Sequence, residues 1–233
     1  IERDPIHGTP NGILAETACA PVRRLFTHTP EELARATRYF VERFNRLGFT
    51  AFKEPMAIES DLAAYQAADQ RGDLTLHMAA HLVRHSPLVP EMIPYAEMER
   101  WRRVYASPNV RTAFAKLFLD GVAPGFTASF TEPYLAASGY DGETHDADGI
   151  LLLTPEAIAH EITELDRRGF TVKMHAVGDN AIRRGLDGIE AARRANGFSG
   201  LRHEIAHAPF VRTEDLSRFS ALDAVAEVSP KLW

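Results

Sequence analysis

The stretch FTVKMHAVGDNAIRRGLDGIE, residues 170–190, changes its hydrophobic period half-way along. Its first part is apolar and β-branched, with Val172 and Met174 as alternating core candidates, whereas the apolar residues after Asp179 recur at helical spacing. This pattern predicts a buried strand, a short Gly-Asp turn and an amphipathic helix that Asp179 caps. His175 then lies near the carboxyl end of a strand, where functional side chains collect in parallel α/β folds.

The same pairing of a strand with a helix recurs along the rest of the chain. Six apolar segments of strand character alternate with helical segments, which is typical of a parallel sheet built from βα units. No glycine-rich phosphate-binding turn occurs in the sequence, so a dinucleotide-binding fold is disfavoured. The strand candidates are residues 49–57, 74–82, 113–121, 170–176, 201–208 and 223–230. The helix candidates are residues 31–47, 59–70, 90–104, 155–168, a segment from residue 180, and 214–219.

These units predict an α/β fold of the (β/α)8 TIM-barrel type with parallel strands, incomplete because its first and eighth strands lie outside the chain. No linker divides the sequence, so we expect one partial barrel domain over residues 1–233, opened by an irregular segment of residues 1–28. The chain begins with Ile1 rather than Met, and Trp233 directly follows a strand-like run. Both ends therefore lead us to expect that this sequence is a segment of a longer protein. The polar residues 138–149 are predicted to form one long loop over the active-site face.

Composition and charge limit the possible partners. The 233 residues carry a formal net charge of −6 and no basic stripe interleaved with aromatic residues, which argues against nucleic acid. No apolar run approaches the roughly 20 residues of a membrane span. Cys19 is the single cysteine, so no internal disulfide can form, which fits a reducing compartment and predicts a cytoplasmic protein. We expect a small-molecule substrate, and exposed strand edges could pair copies of the chain into a homo-oligomer.

Three polar residues lie late in three successive strand candidates: Lys116, His175 and His207. Taken singly, a strand histidine is more often a hydrogen-bonded core or surface residue than a ligand, and a strand lysine usually lies at an edge. Polar groups among apolar neighbours are costly, however, and the carboxyl ends of barrel strands converge, which favours one shared ligand. Neutral imidazole is a common ligand of zinc. A lysine ammonium has no lone pair, and would serve only when deprotonated or converted by carbon dioxide into a carbamate, which can bridge two metals.

Four motifs carry a family resemblance. They are AFAKLFLDG (113–121), VKMHAVGDNAI (172–182), LRHEIAHA (201–208) and VAEVSPKLW (225–233). Together they resemble the amidohydrolase superfamily of metal-dependent hydrolases, and in particular its YtcJ-like branch, amidohydrolase family 3. The resemblance implies a (β/α)8 barrel that cleaves amide or other C–N bonds with a metal-activated hydroxide. It also implies that Lys116 is a carboxylated lysine and that His175 and His207 are ligands of one or two divalent metals, zinc being the first candidate.

The chain departs from the family pattern in ways that leave two alternatives open. The family's His-x-His pair is expected before residue 1, its last-strand aspartate is expected after Trp233, and Ala206 stands where a glutamate is common. We therefore expect this segment alone to bind metal weakly or not at all, and to be inactive by itself. The first alternative is an inactive or incomplete barrel that acts as a binding or regulatory module. The second is a Schiff-base enzyme in which Lys116 attacks a carbonyl after burial lowers its pKa.

Other polar residues near the predicted strand ends are weaker candidates. His81 lies near the carboxyl end of the second strand candidate and is a reserve candidate for substrate contact. Asp120 follows the lysine strand and could also contact substrate, although an Asp-Gly pair is more often a turn. His203 lies four residues before His207, so strand alternation predicts that both side chains share one face of the sheet.

Overall fold

The computed structural model describes residues 1–14, 16–23, 25–88, 91–135 and 145–228. Its strands are β1 (Ala51–Ala57), β2 (His77–Val83), β3 (Val110–Phe118), β4 (Thr171–Ala176), β5 (Glu204–His207) and β6 (Val225–Val228). They follow one another in one sheet in chain order and run parallel. Sequential parallel strands separated by helices are typical of a TIM-type barrel. The predicted α/β class is therefore confirmed, with six of the eight barrel strands found among the described residues.

Helices precede and separate the strands. They are α1 (Ala20–Arg23), α2 (Pro30–Arg46), α3 (Glu59–Gln70), α4 (Tyr95–Val104), α5 (Pro155–Arg167), α6 (Asp179–Asn196) and α7 (Leu216–Ala221). Short 3-10 segments occur at Glu16–Cys19, Ala123–Gly125, Asp148–Ile150 and Thr213–Asp215. Within the described part of the chain, none of the helices combines the length and the apolar character needed to span a bilayer.

The chain divides into two compact units, residues 1–113 and 114–233. In the first unit, α2 begins with a capping box, because Thr29 Oγ1 accepts the backbone N–H of Glu32 and the Glu32 carboxylate accepts the N–H of Thr29. The helix that the sequence predicts over residues 31–47 therefore begins one residue earlier, at Pro30. In the same unit β1 pairs in parallel with β2. The assignment of residues 1–233 to one domain stays a prediction.

In the second unit, α5 and α6 pack on each other and on β4. The apolar face that the sequence predicts for α6 is buried, since Ile182, Leu186 and Ile189 are inaccessible to solvent. Val172 and Met174, the alternating core candidates of β4, are equally buried. The change of hydrophobic period in residues 170–190 therefore marks a real passage from a core strand to an amphipathic helix.

Most predicted strand bounds differ from the observed ones by a few residues, and β3 and β2 show how. The sequence predicts a strand over residues 113–121, whereas β3 ends at Phe118. The reason is that the backbone turns after the strand, and the N–H of Gly121 donates to the carbonyl of Thr127 at 2.8 Å rather than to a neighbouring strand. β2 likewise begins at His77, three residues later than the predicted segment.

The predicted capping role of Asp179 is wrong. α6 begins at Asp179 itself, Gly178 occupies the N-cap position, and no side chain caps the helix. The Asp179 carboxylate instead accepts the backbone N–H of Thr131 at 2.8 Å, and so ties the segment after β3 to the start of α6. Most of the predicted loop over residues 138–149 lies outside the described residues.

Gly178 lies against the backbone of the segment that follows β3. A Cβ at this position would lie 2.0 Å from the carbonyl oxygen of Ser129, and no rotamer change can relieve a clash with main chain. We expect Gly178→Ala to lower the free energy of unfolding by roughly 3 kcal/mol, measured by urea denaturation. Gly125→Ala is the matched control, because its Cβ would meet only ordinary contacts at 3.5 Å. Equal stability of the two variants would contradict the close approach.

Candidate active site

Strand register divides the side chains of β3, β4 and β5 between two faces. Met174 and Ile205 are paired in register and face α6, since a Cβ built on Gly185 of that helix would meet both side chains. Lys116 pairs with Lys173, one position before Met174, and Ala206 pairs with His175, one position after it. Because successive residues of a strand point to opposite faces, Lys116 and His175 lie on the face away from α6. In a barrel this is the inner face.

His207 reaches the same face through an irregular backbone. Its register partner is Ala176, and in regular strands the side chains of both residues would face α6. His207 and Ala208 instead have φ of 74° and 39°, in the left-handed region that residues with a Cβ seldom adopt. The imidazole consequently lies beside that of His175, with ring centroids 4.7 Å apart in an edge-to-face arrangement. Strained backbone of this kind clusters at functional sites.

The ring of His175 is held in one orientation. Its Nε2 lies 2.8 Å from the carbonyl oxygen of Gly121, and the ring stacks on Phe118 at 5.0 Å between centroids. Burial lowers the pKa of His175 to about 4, so the ring is neutral at physiological pH. A carbonyl can only accept, so Nε2 carries the proton and Nδ1 keeps its lone pair. Fixing one ring nitrogen in this way is how proteins orient a histidine that binds metal through the other.

Asp120 organises the turns around His175. Its carboxylate accepts three backbone N–H groups, those of Ser129 at 3.0 Å, Val177 at 3.0 Å and Gly178 at 2.8 Å. The side chain is inaccessible to solvent, and its Oδ1 lies 3.8 Å from Nε2 of His175. The residue therefore joins the segment after β3 to the turn after β4. Its predicted contact with substrate stays a prediction.

Lys116 is buried on the inner face, with 2% of its surface exposed. Burial, followed by the nearby charge of Lys173, lowers the pKa of Lys116 to about 7. Its Nζ lies 4.6 Å from the ring centroid of Phe118, and it has no hydrogen-bond partner among the described residues. A large fraction of this amine is therefore neutral near pH 7, which is the form that reacts with electrophiles.

A cluster of buried and half-buried charges lies beside Lys116, and it was not predicted from the sequence. Lys173 is the register neighbour of both Lys116 and Glu204, and its ammonium is 3.4 Å from the Glu204 carboxylate. It also forms an ion pair with Glu227 of β6. The available signal was the presence of charged residues inside three largely apolar strand candidates, but only register shows that Lys173, Glu204 and Glu227 meet.

His203 lies on the opposite face from His175. Its Nδ1 accepts the backbone N–H of Val172 at 3.0 Å, and its Nε2 lies 3.0 Å from the carboxylate of Asp166 in α5. The prediction that His203 and His207 share a face is therefore wrong, because the left-handed backbone of His207 breaks strand alternation. His203 is a buried structural residue that ties β4 and β5 to a helix.

His81 belongs to the first compact unit. The residue is inaccessible to solvent, and its Nδ1 lies 3.2 Å from the carbonyl oxygen of Ala79 and 3.3 Å from that of Glu54. These contacts fix the orientation of the ring within the β1–β2 pair. Its predicted contact with substrate stays a prediction.

Comparison with known proteins decides the family. The model of the amidohydrolase family matches residues 1–233, the whole chain. The chain belongs to the amidohydrolase family. The predicted membership, including the likeness to YtcJ, is thereby confirmed. YtcJ of Bacillus subtilis (strain 168), named as a candidate amidohydrolase, is 25% identical over 142 residues, which are 60% of this chain and 25% of that protein.

Other relatives extend this likeness. Protein LONG AFTER FAR-RED 3 of Arabidopsis thaliana is 32% identical over 115 residues, 49% of this chain and 18% of that protein. The exoenzymes regulatory protein AepA of Pectobacterium carotovorum is 24% identical over 225 residues, 95% of this chain and 45% of that protein. This amidohydrolase chain thus spans less than half the length of the curated relatives it matches.

Solved structures share the fold. An uncharacterized metal-dependent hydrolase from Pyrococcus furiosus superposes with a TM-score of 0.67 at 21% identity, over 90% of this chain and 41% of that chain. A second one, from Pyrococcus horikoshii OT3, has the same TM-score and identity, over 90% of this chain and 39% of that chain. At this identity the superposition shows the fold of the amidohydrolase chain and no more.

The donors on the inner face fit a divalent metal in part. In the described ranges, no three histidine, cysteine, aspartate or glutamate side chains are grouped so that they could hold a metal ion. The amidohydrolase chain does bring together two imidazoles that burial keeps neutral, on the face that carries a readily deprotonated lysine. Neutral imidazole nitrogens are the ligands that zinc and similar metals accept. The two imidazoles and the lysine have suitable chemistry for a divalent metal, but they provide too few donor atoms to complete its coordination.

The buried histidines predict a loss of stability in acid. The pKa of His175 is near 6.5 when unfolded and about 4 when folded, so below pH 6.5 the unfolded state binds a proton that the folded state does not. In metal-free protein the free energy of unfolding should therefore fall as pH drops from 6.5 to 4, by on the order of 3 kcal/mol for His175. Burial also lowers the pKa of His207 to about 4, but its partial exposure makes its contribution smaller.

Denaturant unfolding as a function of pH measures this effect. The double variant His175→Asn, His207→Asn is the comparison, because it removes both titrating groups from the site. We expect the variant to lose less stability than the wild type between pH 6.5 and pH 4. Parallel stability curves for the two proteins would contradict the assignment of two neutral buried imidazoles.

Proposed function

We propose that this chain contributes catalytic residues to a metal-dependent hydrolase that cleaves an amide or other C–N bond of a small molecule. The observation that carries the proposal is the edge-to-face contact between two neutral imidazoles, those of His175 and His207. The strained backbone of His207 supports it, because the strain brings the second ring to the first instead of leaving it on the helix-facing side. Family membership agrees with this reaction class.

In this proposal each residue has a separate role. His175 would bind a metal through Nδ1, because Nε2 donates to Gly121, and His207 would bind beside it. The neutral amine of Lys116 would attack the carbon of carbon dioxide, forming an N–C bond and releasing a proton, and the resulting carbamate supplies two oxygen donors. A bound divalent metal lowers the pKa of a coordinated water towards about 7. Zinc is the first candidate because nitrogen and oxygen donors both suit it.

The surrounding residues would hold this arrangement in place. Asp120 fixes the turn after β4 and the segment that supplies the Gly121 carbonyl, so it would act as a positioning residue. Lys173 would stay paired with Glu204 and Glu227, and this ion-pair cluster would fix the charge environment beside Lys116. A cytoplasmic location belongs to the same proposal, since Cys19 has no second cysteine for an internal disulfide.

Chelation of the complete gene product tests the metal. We expect purified protein to contain one or two equivalents of a divalent metal and to hydrolyse members of a panel of small amides. Removal of the metal should abolish hydrolysis, and its return should restore it. Full hydrolysis by protein shown to be metal-free would contradict the proposal.

A Schiff-base enzyme is the second candidate, and the low pKa of Lys116 favours it too. In that case Nζ of Lys116 would attack a substrate carbonyl, and water would leave to give an imine. Borohydride would then reduce the imine and leave substrate covalently attached to Lys116, as peptide mass spectrometry would show. The metal proposal predicts no such adduct, and it is favoured because the Schiff-base reaction gives no role to the paired histidines.

A further inference from the structure

Four aromatic rings form a continuous row in the second compact unit. Phe126 contacts Tyr134 with ring centroids 5.2 Å apart, Tyr134 contacts Phe130 at 5.3 Å, and Phe130 contacts Phe210 at 5.1 Å. All three contacts are edge-to-face, the arrangement in which the edge of one ring meets the face of the next. We call these four residues the aromatic row.

Strand order places the aromatic row across the end of β4. Phe130 lies in the segment after β3, and Phe210 follows β5 by three residues. β4 pairs with both strands and lies between them, so a ring contact from one segment to the other must pass the carboxyl end of β4. His175 is the penultimate residue of that strand. The aromatic row is therefore at the same end of the sheet as the paired histidines.

Backbone hydrogen bonds hold the centre of the row against this end. The N–H of Ser129 donates to Asp120, whose carboxylate also accepts the N–H groups of the turn after β4. The N–H of Thr131 donates to Asp179 at the start of α6. Phe130 lies between these two anchored residues. Its position is thus fixed from both sides, as a binding wall requires.

The row offers apolar ring surface at this end of the sheet. Phe210 is 45% exposed, although large aromatic side chains are costly to leave in water. The hydroxyl of Tyr134 donates to the carbonyl of Ala128 at 2.9 Å, so its polar end is already engaged. Rings arranged edge to face present both edges and faces to a ligand. These surfaces interact more favourably with a further aromatic ring than with an aliphatic group of equal size.

We propose that the aromatic row binds an aromatic ring of the substrate next to the C–N bond to be cleaved. This inference rests on the proposed function, because it assigns the substrate class of the same site. An aliphatic group in the same place, or a segment of protein that covers the row, are the competing occupants. Both predict that aromatic and aliphatic ligands bind alike or not at all.

Ligand binding tests the inference without requiring turnover. Calorimetry on the complete gene product compares benzamide with cyclohexanecarboxamide, which share an amide and a six-membered ring. We expect benzamide to bind about tenfold more tightly, and Phe130→Leu or Phe210→Leu to reduce this preference about threefold to tenfold. Phe198→Leu is the matched control, because Phe198 is an exposed phenylalanine of the same unit that precedes β5 and should leave the preference unchanged.

The outcomes separate this inference from the proposed function. A preference for benzamide that depends on Phe130 and Phe210 supports the inference even if no amide is hydrolysed. Equal binding of the two ligands, or no binding of either, overturns it even if the protein proves to be a metal-dependent hydrolase. A preference that both leucine variants retain also overturns it, because the selectivity would then come from elsewhere.

Discussion

Alanine in place of His175 or His207 is expected to reduce the kcat/KM of the complete gene product about a thousandfold or more. In the proposed site each imidazole would supply a metal donor that no neighbouring described side chain replaces, and loss of the metal would leave water unactivated. Metal content measured by elemental analysis should fall in parallel with activity. His160→Ala is the control, because His160 is an exposed residue of α5 and its loss should change neither quantity. Retention of both metal and activity by either site variant would remove that histidine from the site.

Lys116→Ala should be equally damaging, and small molecules can reveal the reason. If Lys116 acts as a carbamate, acetate or propionate should restore part of the activity, because a carboxylate presents two oxygens to the metal as the carbamate does. If Lys116 forms a Schiff base, a small alkylamine should restore activity instead. Rescue by the amine and not by the carboxylate would contradict the metal proposal.

Asp120→Ala is expected to cause the largest loss of stability, about 5 kcal/mol. The substitution leaves three buried backbone N–H groups without an acceptor, and each unsatisfied donor costs about 1–3 kcal/mol. The free energy of unfolding from urea titration measures the effect. Asp120→Asn keeps one acceptor oxygen and the side-chain shape, so its loss should be intermediate. A change below about 1 kcal/mol for the alanine variant would show that Asp120 does not organise these turns.

The parts of the fold that depend on local pattern could be predicted from sequence. The change of hydrophobic period in residues 170–190 places β4 and α6 correctly, because side chains repeat every two residues in a strand and every 3.6 in a helix. The helical segment predicted over residues 31–47 likewise matches α2, since the contacts that begin this helix join residues only three apart. His175 and Lys116 could be singled out because polar groups are costly inside apolar strands.

The remaining features depend on contacts between distant segments. The ion pairs of Lys173 with Glu204 and Glu227 require the register of three strands, which no local pattern contains. Asp179 has the composition of a helix cap, but its carboxylate instead accepts an N–H from a residue 48 positions earlier. The left-handed backbone of His207 is equally invisible in sequence, because nothing in RHEIAHA distinguishes a regular strand from a strained one. The position of His207 late in a strand candidate and the family resemblance both made it a ligand candidate, but neither contains its backbone conformation.

An anomalous-difference map from crystals of the complete gene product, recorded at the absorption edge of its metal, tests the central claim most directly. The proposal predicts a peak about 2.0–2.1 Å from Nδ1 of His175 and from a ring nitrogen of His207. It also predicts electron density for a carboxylated Lys116 reaching the same peak. A fully occupied metal that contacts neither histidine would contradict the account.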